Sequence, residues 1–299
     1  MMSLMNSELE KSASESTIGL IGMGLVGQAL IARLQSAGYR LIGFDVAQAS
    51  RDDAAGKGVE IAPNAQAVAM ECEIVFLSLP NHDIVQSVME QLTPVLRPGM
   101  IVVDTTTGSP AIAEAIAARL DAKGVYWVDA TISGSSDQLY RGEVTILAGG
   151  TSIAIQRCEP LFRAIANDWM HVGPCGSGLR MKLVSNLVLG LNRAALAEGL
   201  AFADALQLDA KLTLEALRRS MAYSRMMDTK GDKMIDKDFR PQGRLSQHLK
   251  DVRLMQSEST IRLPLTEAHQ QLLEKAEGLG HGDLDNSAVI LAYDERPLK

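Results

Sequence analysis

Two sets of residues in this chain have the types and the spacing for chemistry. Lys182 and Asn186 stand four residues apart in GPCGSGLRMKLVSNLVLG, so on a helix they share a face. Their neighbours Leu183, Val184, Leu187, Val188 and Leu189 are apolar. A lysine in such a helix commonly snorkels its ammonium to water near the helix end, and Lys182 is near the start. The alternative is a lysine on the lip of a cleft, because a glycine-rich turn at a domain junction feeds this helix and clefts form at junctions. There, burial and any nearby cation would favour the neutral amine, which can exchange a proton near neutrality. Asn186 would bond the substrate oxygen and steady the lysine. The residues alone leave a structural polar pair and a proton-transfer pair both open.

The second set lies in IGLIGMGLVGQALIARLQSAGYRLIGFD, with glycines at 22, 24 and 27. A lone G-x-G-x-x-G is weak evidence, but here a strand precedes Gly22, a helix follows, and Asp45 closes the next strand. That is close to the roughly 20-residue offset expected for a ribose-binding acid. Gly22 permits the tight turn, Gly24 lets backbone approach a pyrophosphate, and Gly27 brings helix and strand together. Met23, Leu25 and Val26 are apolar, so phosphate would be held by backbone amides and the positive helix end. The competing reading of Asp45 is a strand-end residue capping the following turn. As a cofactor residue, its carboxylate would accept both ribose hydroxyls of NAD and repel the 2′-phosphate of NADP. No arginine follows it directly; Arg51 comes six residues later. NAD is therefore expected over NADP.

These residues need a scaffold. TIGLIG, YRLIGFD, EIVFLSLP, GMIVVDTTT, VYWVDAT, VTILAGG and WMHVG read as strands. Several are apolar throughout and alternate with amphipathic helices, the pattern of a parallel sheet covered on both faces. Such sheets bind ligands at the carboxyl ends of their strands. That points to LPN (79–81), DTTTGSP (104–110) and DATISGSSDQ (129–138). Thr107 and Ser133 could bond a nicotinamide amide or a substrate carboxylate, although Ser and Thr in such loops commonly cap the next helix.

After HVGPCGSG the pattern becomes helical, and no strand-like run follows about residue 172. From Leu179 to Leu208 apolar residues occupy almost every face, so this long helix is expected to be buried. The fold class expected is α/β, a Rossmann-type doubly wound, mostly parallel sheet followed by an all-helical C-terminal domain. The domains would be a polar tail over 1–16, a dinucleotide-binding domain over 17–174, and a helical substrate and oligomerisation domain over 175–299.

Composition excludes other classes. The 299 residues carry 29 Lys+Arg against 36 Asp+Glu, a net charge of −7, and only 4% aromatics. Nucleic acid and anionic membranes are poor partners for such a chain. Cys72, Cys158 and Cys175 lie far apart with no ligand spacing, so no metal site and no disulfide framework is expected. The N-terminal stretch lacks the basic start and apolar run of a signal peptide, and no apolar run approaches the ~20 residues of a membrane span. A cytoplasmic protein is expected.

The chain resembles the β-hydroxyacid dehydrogenases, a family that includes 3-hydroxyisobutyrate dehydrogenase and tartronate semialdehyde reductase. The resemblance runs from Thr17 to about Leu291, with segments in the family's order. GLIGMGLVGQALIARLQSAGY is similar to its cofactor motif, LSLP and VVDTTTGSP to its middle cofactor loops, and DATISGSSDQLYRGEVTILAGG to its substrate loop. Gly176, Gly178, Lys182 and Asn186 satisfy its catalytic signature, while LKDVRL and DNSAVI match C-terminal signatures. The resemblance implies that Lys182 is a general acid/base assisted by Asn186, acting on a small 3-hydroxy acid or its semialdehyde. It implies that Ser133 and Gly134 hold a substrate carboxylate, that Thr107 and Lys250 contact the nicotinamide end, that Leu79 and Pro80 line the cofactor's path, and that the protein is a homodimer or homotetramer. The family's substrate loop usually reads D-A-P-V-S-G-G; here Thr131, Ile132 and Ser135 replace Pro, Val and the second Gly. Ser135 adds a side chain where backbone normally approaches the acid, so the substrate would differ in size or polarity. Rival readings are an imine reductase of the same fold, a larger 6-phosphogluconate dehydrogenase and a nicotinamide-binding sensor without turnover. Lys182 argues against the first, the absence of a basic cluster and the short chain against the second, and the intact Lys182/Asn186 pair against the third.

Overall fold

A computed structural model describes residues 17–293; the tail expected over 1–16 lies outside the described residues. The chain divides into two compact units, one ending at Lys182 and the other beginning at Leu183.

The first unit is built on eight strands: β1 (Thr17–Ile21), β2 (Arg40–Phe44), β3 (Glu60–Ile61), β4 (Ile74–Leu77), β5 (Ile101–Asp104), β6 (Tyr126–Ser133), β7 (Thr145–Gly149) and β8 (Asp168–Gly173). They form one sheet in the order β3-β2-β1-β4-β5-β6-β7-β8, parallel except where β6 meets β7. The apolar runs become central strands because both faces are covered. Along β1, Leu20 faces a core with Phe76, Val103 and Phe162, while the next residue, Ile21, faces one with Val75, Leu77 and Val102.

Helices α1 (Leu25–Ser36), α2 (Gln48–Gly56), α3 (Ala65–Glu71), α4 (His82–Leu92), α5 (Pro110–Asp121), α6 (Ser136–Tyr140) and α7 (Ser152–Ile165) connect the strands. Their starts are chemically marked: Asn64, Asn81 and Thr151 accept the N–H of Ala67, Ile84 and Ala154 respectively, and Pro110 opens α5. Helix α2 carries little sequence signal, since only Ala54 of its nine residues is buried. Strand β3 is two residues long and escapes any periodicity argument.

The long helix, α8, runs Ser177–Ala205 and continues into the second unit. There follow α9 (Ala210–Arg218), α10 (Asp232–Ile235), α11 (Leu245–Glu258), α12 (Pro264–Ala276) and a 3₁₀ segment Asn286–Tyr293. Leu196, Leu200, Leu214, Leu245, Leu249, Leu273 and Val289 form this unit's core. The expectation that α8 is buried all round is corrected here. Met181, Val184, Val188 and Phe202 lie along one exposed side, at 42%, 58%, 52% and 64% exposure. With Asn192, Ala195 and Glu198, which are exposed too, they form a row spaced by three or four residues, so the surrounding elements cover only the opposite side of the helix.

The second unit is tied together by a buried carboxylate. Asp285 is fully buried and accepts from Lys230 Nζ at 2.9 and 3.0 Å, Gln242 N at 2.8 Å, Ser287 N at 3.0 Å and Ser287 Oγ at 2.7 Å. Burial pushes its pKa up, but the ammonium and the Gln242 N–H outweigh it and hold the carboxyl below the usual carboxylate range. A depressed carboxylate stabilises the fold above its unfolded-state pKa, and that contribution is lost as pH falls through the folded-state value. Asp285→Ala strands the Lys230 ammonium in the interior and is expected to lower stability by about 3–5 kcal/mol in urea unfolding followed by circular dichroism at neutral pH. The variant's deficit should shrink as both proteins are taken below the carboxylate range.

Candidate functional site

The chain leaving β1 passes under the chain leaving β4. Gly22 has φ +91°, and a Cβ there would lie 2.2 Å from the carbonyl oxygen of Ser78. A Cβ on Gly27 would lie 2.3 Å from the carbonyl oxygen of Gly22. Both are glycines for close backbone approach. Gly24 is different: a Cβ there meets nothing within 4 Å, and the residue is exposed at the start of α1. No side chain caps that start, leaving first-turn amides, those of Leu25 and Val26 among them, for an anion. The fold therefore requires Gly22 and Gly27 for its own packing, whereas the open space over Gly24 is the shape a pyrophosphate needs.

Asp45, at the end of β2, folds back on this loop. Its Oδ2 accepts the N–H of Met23 at 2.6 Å, and its Oδ1 accepts that of Ala47 at 2.8 Å. The structure thus brings Asp45 to the glycine turn, and the Met23 amide is engaged by it. The Met23 side chain is buried in the core. Arg51 Nη1 donates to the carbonyl oxygens of Asp45 (2.5 Å) and Val46 (3.0 Å), and its guanidinium lies 5.9 Å from the centre of the Phe44 ring.

The loops after β4 and β5 are stitched to each other. Leu79 N donates to Thr106 Oγ1 at 3.2 Å, Thr106 N to Asp104 Oδ1 at 2.9 Å, and Thr105 Oγ1 to the Leu77 carbonyl at 2.8 Å. Beneath them, His82 Nε2 lies 3.2 Å from Asp104 Oδ2, both side chains buried. The imidazole packs where a Cβ on Gly108 would be, 2.4 Å from His82 Cγ. Leu79, Pro80 and Thr107 therefore sit on a fixed edge, Leu79 and Thr107 half-buried and Pro80 exposed. Sequence reasoning placed Asp104 in a ligand-facing loop without giving it a role and passed over His82; a histidine opening a helix after L-P-N was the available signal.

Ser133, the last residue of β6, is half-buried, and Gly134, which begins the following loop, is exposed with φ +152°. Ser135 is engaged locally: its Oγ accepts the N–H of Gln138 at 3.3 Å, and Gln138 Oε1 accepts the N–H of Ser135 at 2.9 Å, a capping box at the start of α6.

Lys182 lies on the second turn of α8 and is buried, 8% exposed. Asn186 follows one turn later on the same helix, half-buried, and its Nδ2 donates to Asp251 Oδ2 at 3.3 Å. Lys250, adjacent to Asp251 on α11, is half-buried. Asp251 is a second residue that sequence reasoning passed over, since 65 positions separate it from Asn186. The thiols are poor nucleophiles: burial pushes Cys72, Cys158 and Cys175 up to about 12. Among the described residues no group of three or more His, Cys, Asp or Glu could hold a metal ion, and no helix is long and apolar enough to cross a membrane.

A glycine turn uncapped at a helix start, on a doubly wound sheet, is the arrangement of a dinucleotide-binding domain. Comparison with known proteins agrees. Residues 17–173 match the NAD-binding domain of 6-phosphogluconate dehydrogenase, and residues 176–293 match the NAD-binding region of NADP-dependent 3-hydroxyisobutyrate dehydrogenase. The chain is 32% identical to 2-(hydroxymethyl)glutarate dehydrogenase of Eubacterium barkeri over 96% of this chain and 97% of that one. It is 28% identical to 2-hydroxy-3-oxopropionate reductase of Escherichia coli over 93% and 97%. The 3-hydroxyisobutyrate dehydrogenase of Mycobacterium tuberculosis, solved with L-serine, superposes with a TM-score of 0.86 at 26% identity, covering 92% of this chain and 98% of that one. The chain belongs to the β-hydroxyacid dehydrogenase family. It is an NAD(P)-dependent oxidoreductase acting on CH–OH groups.

The contrast among the glycines gives a clean test. Gly24→Ala is expected to leave the melting temperature within about 2 °C of wild type, because the added methyl meets no protein atom. Its dissociation constant for NAD(H), measured by quenching of protein fluorescence, should rise about tenfold or more if this helix start receives a pyrophosphate, because the methyl would stand in its approach.

Proposed function

We propose that this protein transfers a hydride between NAD and a small 3-hydroxy acid or its semialdehyde, with Lys182 as the general acid/base. The observation that carries this reading is a buried lysine on the second turn of a helix, one turn ahead of an amide-bearing Asn186. A bound nicotinamide dinucleotide supplies the hydride acceptor or donor. The chain's own residues do the rest. Lys182, neutral, takes the hydroxyl proton on its Nζ during oxidation; in the ammonium form it returns that proton to the carbonyl oxygen during reduction. Asn186, its amide oriented by Asp251, bonds the substrate oxygen beside the lysine. Ser133 and Gly134 hold the substrate carboxylate. Ser135 acts through the α6 cap that shapes this loop. Thr107 and Lys250 contact the nicotinamide end, and Leu79 and Pro80 line the cofactor's path. The relatives named for 3-hydroxy acids and a semialdehyde-type substrate support this substrate class.

NAD over NADP is supported by Asp45. Its carboxylate sits against the glycine turn, where an additional 2′-phosphate would meet like charge. The basic residue nearest to it along the following turn, Arg51, has donors directed to two carbonyl oxygens and to Gln48 Oε1. The exposed apolar side of α8 supports assembly into a homodimer or homotetramer, and three free thiols fit a reducing, cytoplasmic setting. An imine reductase reading is disfavoured by Lys182 itself, and a sensor without turnover has no use for a buried proton-transfer group.

Absorbance at 340 nm, with short 3-hydroxy acids and oxidised cofactor or the matching semialdehydes and reduced cofactor, tests the assignment. Lys182→Ala is expected to lower kcat by about 100- to 10,000-fold with cofactor affinity retained. The wild type should show a higher kcat/KM with NAD than with NADP. Full turnover in Lys182→Ala would sink the assignment.

A further inference from the structure

The start of α8 is held by β6 in a way that no cofactor or substrate contact requires. Asp129 is fully buried, and its two oxygens are divided between two backbone donors: Oδ1 accepts the N–H of Gly176 at 2.7 Å, and Oδ2 that of Leu179 at 2.9 Å. Leu179 is in the first turn of the helix that carries Lys182 and Gly176 is the residue just before it, positions whose amides otherwise lack partners. Backbone closes in around the carboxylate: a Cβ on Gly149 would lie 2.6 Å from Oδ1, and one on Gly178 would lie 2.8 Å from Oδ2. Two residues along the same face of the strand, Thr131 is also fully buried, and its Oγ1 donates to the carbonyl oxygen of Gly178 at 3.1 Å. In an α-helix that carbonyl is the one paired with the N–H of Lys182.

We propose that Asp129 and Thr131 form a two-residue clamp that positions Lys182, the carboxylate holding the amides of the helix start and the hydroxyl holding the carbonyl beneath the lysine. The inference rests on the reading of Lys182 as the proton-transfer group. Both clamp residues act through the helix, as positioning residues. The carboxylate does a second thing. It sets a negative charge at the positive end of α8, which favours the protonated form of a lysine on the next turn.

The groups facing Asp129 are Asp104 at the end of β5, itself beside His82, and Cys175 in the turn before α8, with the Glu114–Arg180 ion pair beyond it. Burial raises the Asp129 carboxyl to about 6 against the two amide bonds, which lower it. The clamp is therefore ionised at neutral pH and loses its charge just below it.

The test compares wild type, Asp129→Asn, Thr131→Val and Lys182→Ala, with fluorescence titration of NAD(H) confirming that each variant is folded. Asp129→Asn retains one acceptor and loses the charge. Its kcat is expected to fall about 10- to 100-fold with the cofactor dissociation constant within about twofold. In the oxidation direction, the midpoint of the rise of its kcat with pH should move down by about half a pH unit. Thr131→Val should lose about 2- to 5-fold in kcat with that midpoint unmoved, since no charge changes. In the reduction direction, wild-type kcat should fall as pH drops below about 6, a measurement that stands even where a variant fails to fold. Wild-type kcat in Asp129→Asn, or a loss of kcat with the midpoint unmoved, overturns the inference; so does a reduction rate indifferent to pH through that range. Turnover retained in Lys182→Ala overturns the underlying functional reading instead, and the clamp with it.

Discussion

The first unit depends on how closely two chains pass where they leave neighbouring parallel strands. The strand order turns at β1 and β4, so the connections from these strands diverge to opposite sides and leave a crevice between them. Gly22 crosses this crevice within contact of the Ser78 carbonyl, and Gly22 N and Ser78 N are bonded back to Phe44 and Ile21. A side chain on Gly22 would force β1 and β4 apart. That would also carry Asp45 away from Met23 N and Leu79 away from Thr106 Oγ1, since both bonds hang from the same strand ends. One steric constraint thus fixes the glycine turn, the acid beside it and the loop on the far side of the crevice.

That constraint could be read from the sequence because it leaves a local trace. Gly22, Gly24, Gly27 and Asp45 fall within a single strand-turn-helix-strand unit, and each is explained by its own neighbours. The central strands were equally legible: IVFL and the IVV of IVVD are apolar because helices cover both faces, and short β-branched runs bounded by turn residues favour a strand over a helix segment. The Lys182–Asn186 pair was legible for the same reason, as two residues one turn apart on one helix. The resemblance to a known family then supplied roles for residues whose spacing alone says nothing, such as Lys250.

What could not be read was whatever depends on pairing across long separations or on the absence of a neighbour. Asp129 meets Gly176 and Leu179 from 47 and 50 positions away; Asn186 meets Asp251 from 65, and Lys230 meets Asp285 from 55. In the sequence Asp129 is a strand-end carboxylate like Asp104, with no mark to separate a cofactor-loop organiser from a helix clamp. The exposed side of α8 failed for the opposite reason. Apolar residues on every face predict burial only if something covers every face, and a sequence does not count its neighbours. Ser135 illustrates a milder case: a serine in a ligand-facing loop was also the residue best suited to start α6, and the structure shows the second use in place.

Asp129 and Asp285 show how burial of a carboxylate can have opposite consequences. Both are fully buried and both accept backbone N–H groups, but Asp285 also faces the Lys230 ammonium, whereas among the described residues no cation pairs with Asp129. The ammonium outweighs desolvation at Asp285 and turns the residue into a fastener of the second unit. At Asp129 desolvation outweighs two amide bonds, so its ionisation at neutral pH opposes folding. A chain optimised for stability alone would place a neutral cap or a basic partner there. Placing a cation against Asp129 would cancel the field it exerts along α8, whereas the unpaired carboxylate leaves that field acting on the helix that bears Lys182. An unpaired carboxylate, among the described residues, thus fits a charge kept for its effect on a neighbouring proton, and the Lys230-paired Asp285 one that holds the fold together.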